Sequence, residues 1–327
     1  MLGFLLLFNN CEKPRYLNEI NGFTMGTSYS VKIIDHKVSD LDQVSSQIDS
    51  LLIELNNQTS TWDPNSEISK FNRNKSDLPI HVSSDFYDVI KKALNISNKT
   101  DGAFDITIFE LMSMWGFGPN PKKDYPKKSS IKKVLNNNGW QKVSLQKDRV
   151  LKLNPNLKID LNSIAKGYAV DKVHQKIKQL GFKNILVEIG GEVKCSGKNL
   201  SNRSWRLGIE NPQISSNNII SIINLSDKAM ATSGNYRNFI DMNGLILGHT
   251  LDPRLGEPTK SEVLSATVTS SSCMVADAWA TALMVMSFEN GRKLIESDGD
   301  LDALWILDKG KDSYGIEKTE GIKVNPL

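Results

Sequence analysis

The order of strand-like and helix-like segments is the feature that most constrains the fold of this chain. Residues 19–35 and 184–197 carry the alternating patterns of strands, whereas residues 41–56, 84–98 and 274–286 have helical spacing. The two kinds of segment are mixed, without the regular strand–helix–strand repeat that a doubly wound parallel sheet requires. We therefore predict an α+β fold with antiparallel sheets and packed helices.

Length and composition predict a globular body. The chain has 327 residues, of which 39% are hydrophobic, and this is enough apolar material for two packed lobes or one large composite domain. The formal net charge of +3 is too small to imply a nucleic-acid partner, so we expect none. No apolar run of membrane-spanning length follows the N-terminus, so the body is not expected to cross a bilayer.

The first residues form a segment of a different kind. Residues 2–8 are apolar, and Cys11 follows soon after them. A short apolar run that ends at a Cys near the start of a chain is typical of a bacterial lipoprotein signal. Against this interpretation, no basic residue precedes the run and two Asn residues precede the Cys; the alternative is an apolar N-terminal strand with a buried Cys. We expect residues 1–18 to form the signal-like segment and linker, and residues 19–327 the single globular domain.

Cys195 and Cys273 are predicted to be small buried residues. They lie far apart in the sequence and fit no metal-binding spacing. If Cys11 is lipidated the two could pair, but a total of three Cys argues against a disulfide framework. Free Cys is commonly buried as a small hydrophobic residue, and we expect that state for both.

An apolar helix that contains a carboxylate is the first candidate functional feature. Residues 271–286 are mostly apolar, yet Asp277 and Thr281 lie four residues apart and therefore on one helical face. Burying an unpaired charge costs several kcal/mol, so Asp277 needs a compensating group. A hard cation, Mg²⁺ or Ca²⁺, would provide it through oxygen ligands. The alternative is that Asp277 caps a helix or pairs with a nearby Lys.

A second polar cluster opens the helix predicted over residues 159–181. Asp160, Ser163 and Lys166 follow one another at intervals of three residues, and we predict that Asp160 is the N-cap of this helix. Exposed N–H groups and a Lys at a helix start suit an anionic ligand such as a diphosphate. The alternative is an ordinary capped amphipathic helix whose Lys is solvated.

His249 is the candidate proton acceptor. It stands three residues before Asp252, and Arg254 lies in the turn that follows. These neighbours suit a general base near a phosphate, although a single His is more often a satisfied structural residue. Residues 232–234 are predicted to form a small-residue turn whose N–H groups face the same anion.

Nine sequence blocks cover the chain from about residue 22 to residue 286: FTMGTSYSV, STWDPNSEISKFN, GAFDITIFELMSMWGFGP, IDLNSIAKGYAVDKV, ILVEIGGEVKCSG, LGIENP, ATSGNYRNF, HTLDPRLGEP and SATVTSSSCMVADAWATALMVM. In the same order, they resemble those of the bacterial FAD:protein FMN transferases, once described as thiamine-biosynthesis lipoproteins.

The resemblance implies an exported, often lipid-anchored Mg²⁺ enzyme with a composite α+β domain related to the T-fold, in which FAD lies between lobes. Such enzymes take FAD, attach FMN through a phosphoester to a Ser or Thr hydroxyl of an acceptor flavoprotein, and release AMP. The usual acceptors are redox subunits of membrane ion pumps. For this chain the resemblance implies anchoring on the periplasmic side of the inner membrane through a lipidated Cys11.

The resemblance also implies roles for individual residues. His249 would accept the proton of the acceptor hydroxyl. Mg²⁺ would be bound by Asp277, Thr281 and the backbone carbonyl of Ser163. FAD would contact the other residues that match the family's motifs: Met25, Trp62, Ala103, Phe104, Asp105, Asp160, Lys166 and Leu251. The two candidate helical segments would then converge on one diphosphate–Mg²⁺ centre.

Two other classes of function are compatible with part of this pattern. A hydrolase of the same fold would cleave FAD to FMN and AMP with water as the acceptor, and its pocket would hold the same residues. A non-catalytic exported flavin-binding protein would not need Asp277, Thr281 and His249, and this chain has all three. We therefore predict an enzyme.

Overall fold

The computed structural model describes residues 14–122, 124–212, 219–234, 239–242, 245–310 and 313–325. Cys11 and most of the predicted lipoprotein-like segment lie outside the described residues. The last positions of that segment are described, and they enter the first strand, which begins at Tyr16.

Strands in the described residues form one large antiparallel sheet and smaller sheets around it. They are β1 Tyr16–Thr24, β2 Thr27–Asp35, β3 Ile80–His81, β4 Val143–Gln146, β5 Arg149–Lys152, β6 Ile185–Ile189, β7 Glu192–Ser196, β8 Trp205–Glu210, β9 Ile219–Leu225, β10 Ala229–Gly234, β11 Phe239–Met242, β12 Leu245–Gly248, β13 Leu251–Asp252, β14 Glu257–Pro258, β15 Val263–Ser270, β16 Asp302–Gly310, β17 Ser313–Lys318 and β18 Val324–Asn325. The large sheet has the order β1-β2-β6-β7-β10-β15-β16-β17, and its described pairings are antiparallel. The smaller sheets are β18-β9-β8, β3-β5-β4, β11-β12 and β13-β14.

Helices connect and cover these strands. They are α1 Leu41–Thr59, α2 Glu67–Arg73, α3 Ser84–Lys99, α4 Phe109–Met114, α5 Lys128–Asn137, α6 Ala165–Gln179, α7 Cys273–Val285 and α8 Phe288–Ser297, with short 3₁₀ turns at Ile106–Ile108 and Trp140–Lys142. In α1, Val44, Ile48, Leu52 and Leu55 are buried, as the helical spacing of apolar residues requires. None of the described helices is long and apolar enough to span a bilayer.

The large sheet separates two hydrophobic layers. On one face, side chains such as Val31 and Val187 pack with the helices, including α7, in the main core. On the other face, Met230 and Ile306 pack against Trp205 and other residues of the β18-β9-β8 sheet. Since α7 is covered by the sheet, by α6 and by α3, most of its residues are buried. The predicted α+β class with antiparallel sheets is therefore confirmed.

Some local predictions need correction. Residues 19–35 form a hairpin rather than one strand, because Met25 and Gly26 adopt positive φ angles of 49° and 76° and turn the chain. Residues 232–234, predicted as a turn, belong to β10, where they pair with β15. Helix α8 was not predicted. Cys195 and Cys273 are buried free thiols, as expected.

Candidate active site

A cavity of about 480 Å³ lies where the start of α6, the middle of α7, the β6–β7 turn and the end of β10 meet. Its volume falls within the range of small-molecule sites, roughly 300–1,000 Å³. The predicted site residues that line it are Ala103, Phe104, Asp105, Asp160, Ser163, Lys166, His249, Leu251, Asp277 and Thr281. Segments that are far apart in the sequence therefore supply one continuous wall.

Two predicted residues are not among those that line the cavity. Met25 lies in the β1–β2 turn and packs in part against the main core. Trp62 follows α1, and 64% of its surface is exposed. The β1–β2 hairpin nevertheless approaches the cavity wall, because the N–H of Gly190 donates to the carbonyl of Ser28 at 3.2 Å.

The start of α6 and the middle of α7 are in direct contact at Gly167 and Asp277. The backbone N–H of Gly167 donates to Oδ2 of Asp277 at 2.9 Å, and the carboxylate is only 3% exposed. A Cβ at position 167 would lie 2.4 Å from the carbonyl oxygen of Cys273, so only glycine permits this approach. Because the first N–H groups of a helix have no partner within it, they favour a carboxylate at this place.

Asp171 fixes the start of α7 from one turn further along α6. Its carboxylate accepts from the backbone N–H groups of Cys273 and Met274, both at 3.0 Å, and from the hydroxyl of Ser272 at 2.7 Å. Lys194 of β7 pairs with the same carboxylate at 2.6 Å. The orientation of Asp277 is therefore set by contacts at two levels of the α6–α7 interface.

Lys166 is the cationic side chain beside Asp277, and it forms its ion pair with Glu192. The distance from Nζ of Lys166 to Oε1 of Glu192 is 3.3 Å. Glu192 is only 4% exposed, and its second oxygen, Oε2, is buried without a hydrogen-bond partner in the structure. Leaving a buried acceptor unsatisfied costs about 1–3 kcal/mol, and more for a charged group, so this oxygen adds to the cost of burying Glu192.

In the group formed by Lys166, Glu192 and Asp277, burial and the attraction between opposite charges shift the pKa values in opposite directions. Burial raises the pKa of Glu192, although Lys166 opposes the rise and Asp277 adds to it. Burial likewise raises the pKa of Asp277, against the opposing effects of Lys166 and the Gly167 N–H. Burial alone would lower the pKa of Lys166, but the charges of Asp277 and Glu192 raise it above its usual value. Two carboxylates share one ammonium, so the group carries an excess of negative charge when all three are ionised.

Asp160 does not cap α6, and this prediction is wrong. The helix begins at Ala165, after a turn, and its N-cap position is Ile164. The carboxylate of Asp160 instead accepts from the backbone N–H of Asn162 at 2.7 Å and from its side-chain amide at 3.1 Å. A short polar side chain often closes a turn two residues ahead in this way. Asp160 is buried, which raises its pKa despite these two bonds.

Asp105 is held in a similar local network. Its carboxylate accepts from the N–H and hydroxyl of Thr107, at 2.7 and 2.8 Å, and from the N–H of Trp140 at 2.9 Å. Burial raises the pKa of Asp105 in spite of these bonds. Asp105 and Asp160 therefore shape the cavity wall through backbone contacts, and Ala103 and Phe104 are buried beside them.

Oxygen atoms of the kind that bind hard cations cluster on the α7 side of the cavity. The hydroxyls of Thr281 and Ser233 are 3.4 Å apart, and either can donate to the other. The Gly167 N–H is directed to Asp277 and not to the carbonyl of Ser163 four residues before it. The described residues contain no group of three or more His, Cys, Asp and Glu side chains arranged for a metal. A cation here would therefore depend on carbonyl and hydroxyl oxygens besides Asp277.

His249 and Leu251 enter the cavity from the segment before a tight turn. Asp252 organises that turn, because its carboxylate accepts two side-chain N–H bonds from Arg254, at 2.9 and 2.8 Å. The indole N–H of Trp115 donates to the carbonyl of Gly256 at 2.7 Å and ties the turn to α4. Leu251 is buried against this cluster, whereas His249 is half-buried in the cavity wall.

Sequence reasoning missed Glu192 as a residue of the site, and it expected Ser233 to contribute a backbone N–H rather than its hydroxyl. Glu192 follows Gly190 and Gly191, whose φ angles are 62° and 104°, so the turn that introduces it was visible as a Gly pair between strands. Its contact with Lys166 depends on how β7 packs against α6, which no local pattern reports. Ser233 was assigned to a turn, whereas its position on β10 brings it to Thr281.

The sequence and the fold both match one family of known proteins. Residues 25–305 match the model of the ApbE family. A curated relative from Vibrio cholerae, an FAD:protein FMN transferase, is 38% identical over 299 residues, which are 91% of this chain and 90% of the relative. A protein of the same name from Haemophilus influenzae is 33% identical over 88% of this chain and 86% of its own length.

Solved structures give the same result. The flavin transferase ApbE from Vibrio cholerae superposes with a TM-score of 0.86 at 35% identity, over 94% of this chain and 98% of that protein. The apo form of the Pseudomonas stutzeri flavinyl transferase ApbE has a TM-score of 0.85 at 31% identity, over 94% of this chain and 96% of its own.

Proposed function

This chain belongs to the ApbE family and is an FAD:protein FMN transferase, and we propose that the transfer takes place in the cavity between α6, α7 and the β6–β7 turn. The observation that carries the proposal is the contact between Gly167 and Asp277, 110 residues apart in the sequence. It brings the candidate metal ligands of α7 and the Lys of α6 to one cavity.

The residues of the cavity fit Mg²⁺. Asp277 offers a carboxylate, Thr281 a hydroxyl and Ser163 a backbone carbonyl, and oxygen atoms are the ligands that Mg²⁺ prefers. The described lining also contains more acidic than basic side chains, because Lys166 and His249 line the cavity together with Asp105, Asp160, Glu192, Glu210 and Asp277. A diphosphate would be repelled by this excess of negative charge unless a cation accompanied it. When bound, Mg²⁺ would neutralise the diphosphate and stabilise the departing AMP phosphate.

The remaining assigned residues would hold FAD. Lys166 would contact its phosphate or ribose part together with Asp160. Ala103, Phe104, Asp105 and Leu251 would form further contacts, and Met25 and Trp62 would contact FAD from outside the cavity. We propose that FAD lies between the helical side of the cavity and the strand β8, whose Leu207, Gly208 and Ile209 also line it.

His249 would act on the acceptor hydroxyl. An alcohol is a weak nucleophile, so a base that takes its proton as the new bond forms accelerates the attack. In the proposed step, the hydroxyl oxygen of a Ser or Thr attacks the phosphorus of the FMN half, and the proton passes to His249. The bond between this phosphorus and the bridging oxygen breaks, and the electron pair leaves with AMP. The product is FMN joined to the acceptor by a phosphoester.

We further propose that the enzyme is exported and anchored by a lipidated Cys11 on the periplasmic side of the inner membrane. The short apolar run before Cys11 supports this. An acceptor in that compartment would be a flavoprotein such as a redox subunit of a membrane ion pump.

The experiment is to incubate the full chain with FAD, Mg²⁺ and a candidate acceptor flavoprotein, and to look for a fluorescent acceptor band on a denaturing gel. A matched acceptor in which the target Ser or Thr is replaced by Ala is the control. We expect fluorescence on the first acceptor alone, with AMP released in equal amount. Release of AMP without any labelled acceptor would instead identify an FAD hydrolase.

A further inference from the structure

Glu192 is a buried carboxylate of the cavity wall that the proposed reaction has not used. It is the first residue of β7, and its Oε1 pairs with Nζ of Lys166 at 3.3 Å. Its Oε2 is buried and has no hydrogen-bond partner among the residues that the structure describes. Glu side chains are usually exposed on protein surfaces, so the burial of Glu192 indicates a role in the site.

The backbone before Glu192 forms a tight turn that packs against a neighbouring hairpin. Gly190 and Gly191 both have positive φ, and they form the tight turn from which Glu192 enters β7. A Cβ at Gly190 would lie 2.8 Å from Cγ2 of Thr27, so the β1–β2 hairpin confines the turn. The carboxylate is therefore presented to Lys166 from a fixed position.

Two acidic side chains, Asp277 and Glu192, lie near Lys166. Among the described residues, its ion pair is with Glu192 rather than with Asp277. Both carboxylates are close enough for their charges to act on the ammonium. One oxygen of Asp277 is already taken by the N–H of Gly167. If Lys166 moved onto the other oxygen, a cation would have to displace the ammonium in order to bind.

We propose that Glu192 is a positioning residue that holds Lys166 away from Asp277 and so keeps the carboxylate of Asp277 open to the divalent cation. The inference rests on the proposed function, because it requires a cation at Asp277. Groups that orient or free a metal ligand without contacting the metal typically change metal affinity by about 10–100-fold when they are removed.

The test measures Mn²⁺ binding to the purified full chain by electron paramagnetic resonance, without FAD and without turnover. Glu192→Gln should bind Mn²⁺ about tenfold or more weakly than the wild type, because Lys166 then pairs with Asp277. Glu188→Gln is the matched control: this Glu belongs to the same hairpin and accepts from the N–H of Gly191 at 2.7 Å. It should bind Mn²⁺ like the wild type.

Removing the competitor separates positioning from direct ligation. In Lys166→Met/Glu192→Gln, no ammonium can occupy Asp277, and Mn²⁺ affinity should return to near the wild-type value. If it stays weak, Glu192 is itself a ligand and the positioning role is overturned. Wild-type affinity in the single variant Glu192→Gln would also overturn it.

Lys166→Met alone gives a second measurement should Glu192→Gln fail to fold. It should bind Mn²⁺ at least as tightly as the wild type, and weaker binding would contradict the inference. If the wild-type chain itself binds no Mn²⁺, both the inference and the proposed cation site fail, whereas failure of the inference alone leaves wild-type binding intact.

Discussion

The backbone N–H of Gly167 in α6 donates a hydrogen bond of 2.9 Å to the carboxylate of Asp277 in α7. The contact compensates the burial of a carboxylate on an apolar helix, because the N-terminal turn of a second helix stabilises negative charge. It also orients Asp277 at the cavity, where the other candidate ligands lie.

Replacing Gly167 by Ala should separate the two helices. The new Cβ would meet the Cys273 carbonyl at 2.4 Å and Cβ of Asp277 at 2.8 Å, and these are not flexible side-chain ends. We expect a loss of about 1–3 kcal/mol in the free energy of unfolding, measured by urea denaturation, together with weaker Mn²⁺ binding.

Gly299→Ala is the matched control for this substitution, because nothing lies within 4 Å of a Cβ at that position. It should change the free energy of unfolding by no more than about 0.5 kcal/mol. Equal stability of Gly167→Ala and the wild type would show that the close approach of α6 and α7 is not required.

Asp277→Asn should remove cation binding without removing the contact to Gly167. An amide oxygen can still accept from the backbone N–H, but it carries no charge. Because a bound cation contributes several kcal/mol of transition-state stabilisation, FMN transfer should fall by about 10²-fold or more. Turnover is measured as labelled acceptor formed per unit time at saturating FAD and Mg²⁺.

The stability of Asp277→Asn should not decrease. Burial raises the pKa of this carboxylate, which means that its charged form destabilises the folded state near neutral pH. A urea midpoint equal to or above that of the wild type is expected. Full Mg²⁺-dependent activity in this variant would refute the assignment of Asp277 as a metal ligand.

His249→Ala should bind FAD and fail to transfer FMN. Loss of a positioned base typically costs about 10²–10⁴ in rate, whereas ground-state contacts to FAD come from other residues of the cavity. FAD affinity is measured by quenching of flavin fluorescence, and transfer by acceptor labelling. His81→Ala is the control, since His81 is exposed on β3 and should affect neither quantity. If His249→Ala loses FAD binding, its role is contact with the ligand rather than proton transfer.

The stability of the protein should fall in acid because of His174. Burial, with the charges of Lys194 and Lys178, lowers the pKa of this His from 6.5 to about 4. Between these values the unfolded chain binds a proton that the folded chain does not, so stability decreases as the pH falls from about 6.5 to about 4. The full effect of such a shift is about 3 kcal/mol.

His174→Gln should flatten this pH dependence. Nε2 of His174 lies 3.0 Å from the hydroxyl of Ser196, and the amide of Gln can replace that contact without titrating. Urea midpoints measured at several pH values test the prediction, with the exposed His81→Gln as the variant that keeps the wild-type slope. A slope unchanged in His174→Gln would assign the acid sensitivity to other groups.

The resemblance to a family was readable from blocks such as the one around Asp277, but the structure changed the physical account of several residues. Asp160 was predicted to cap a helix and instead closes a turn with Asn162. Ser233 was predicted in a turn and instead lies in β10. Both errors concern where an element begins or ends, which depends on tertiary packing as much as on the local sequence.

By itself, the sequence determined the α+β class with antiparallel sheets, the helical character of segments such as residues 41–56 and 274–286, and the need of Asp277 for compensation of its burial. These conclusions follow from side-chain periodicity and from the cost of burying charge, and both act locally. Only the tertiary structure decided which groups provide the compensation: the N–H of Gly167 and, more distantly, a Lys166 that pairs with Glu192. The reason is physical. Packing at their interfaces sets how closely two helices and a strand that are distant in the chain approach one another, and the periodicity within each element does not specify which elements pack against it.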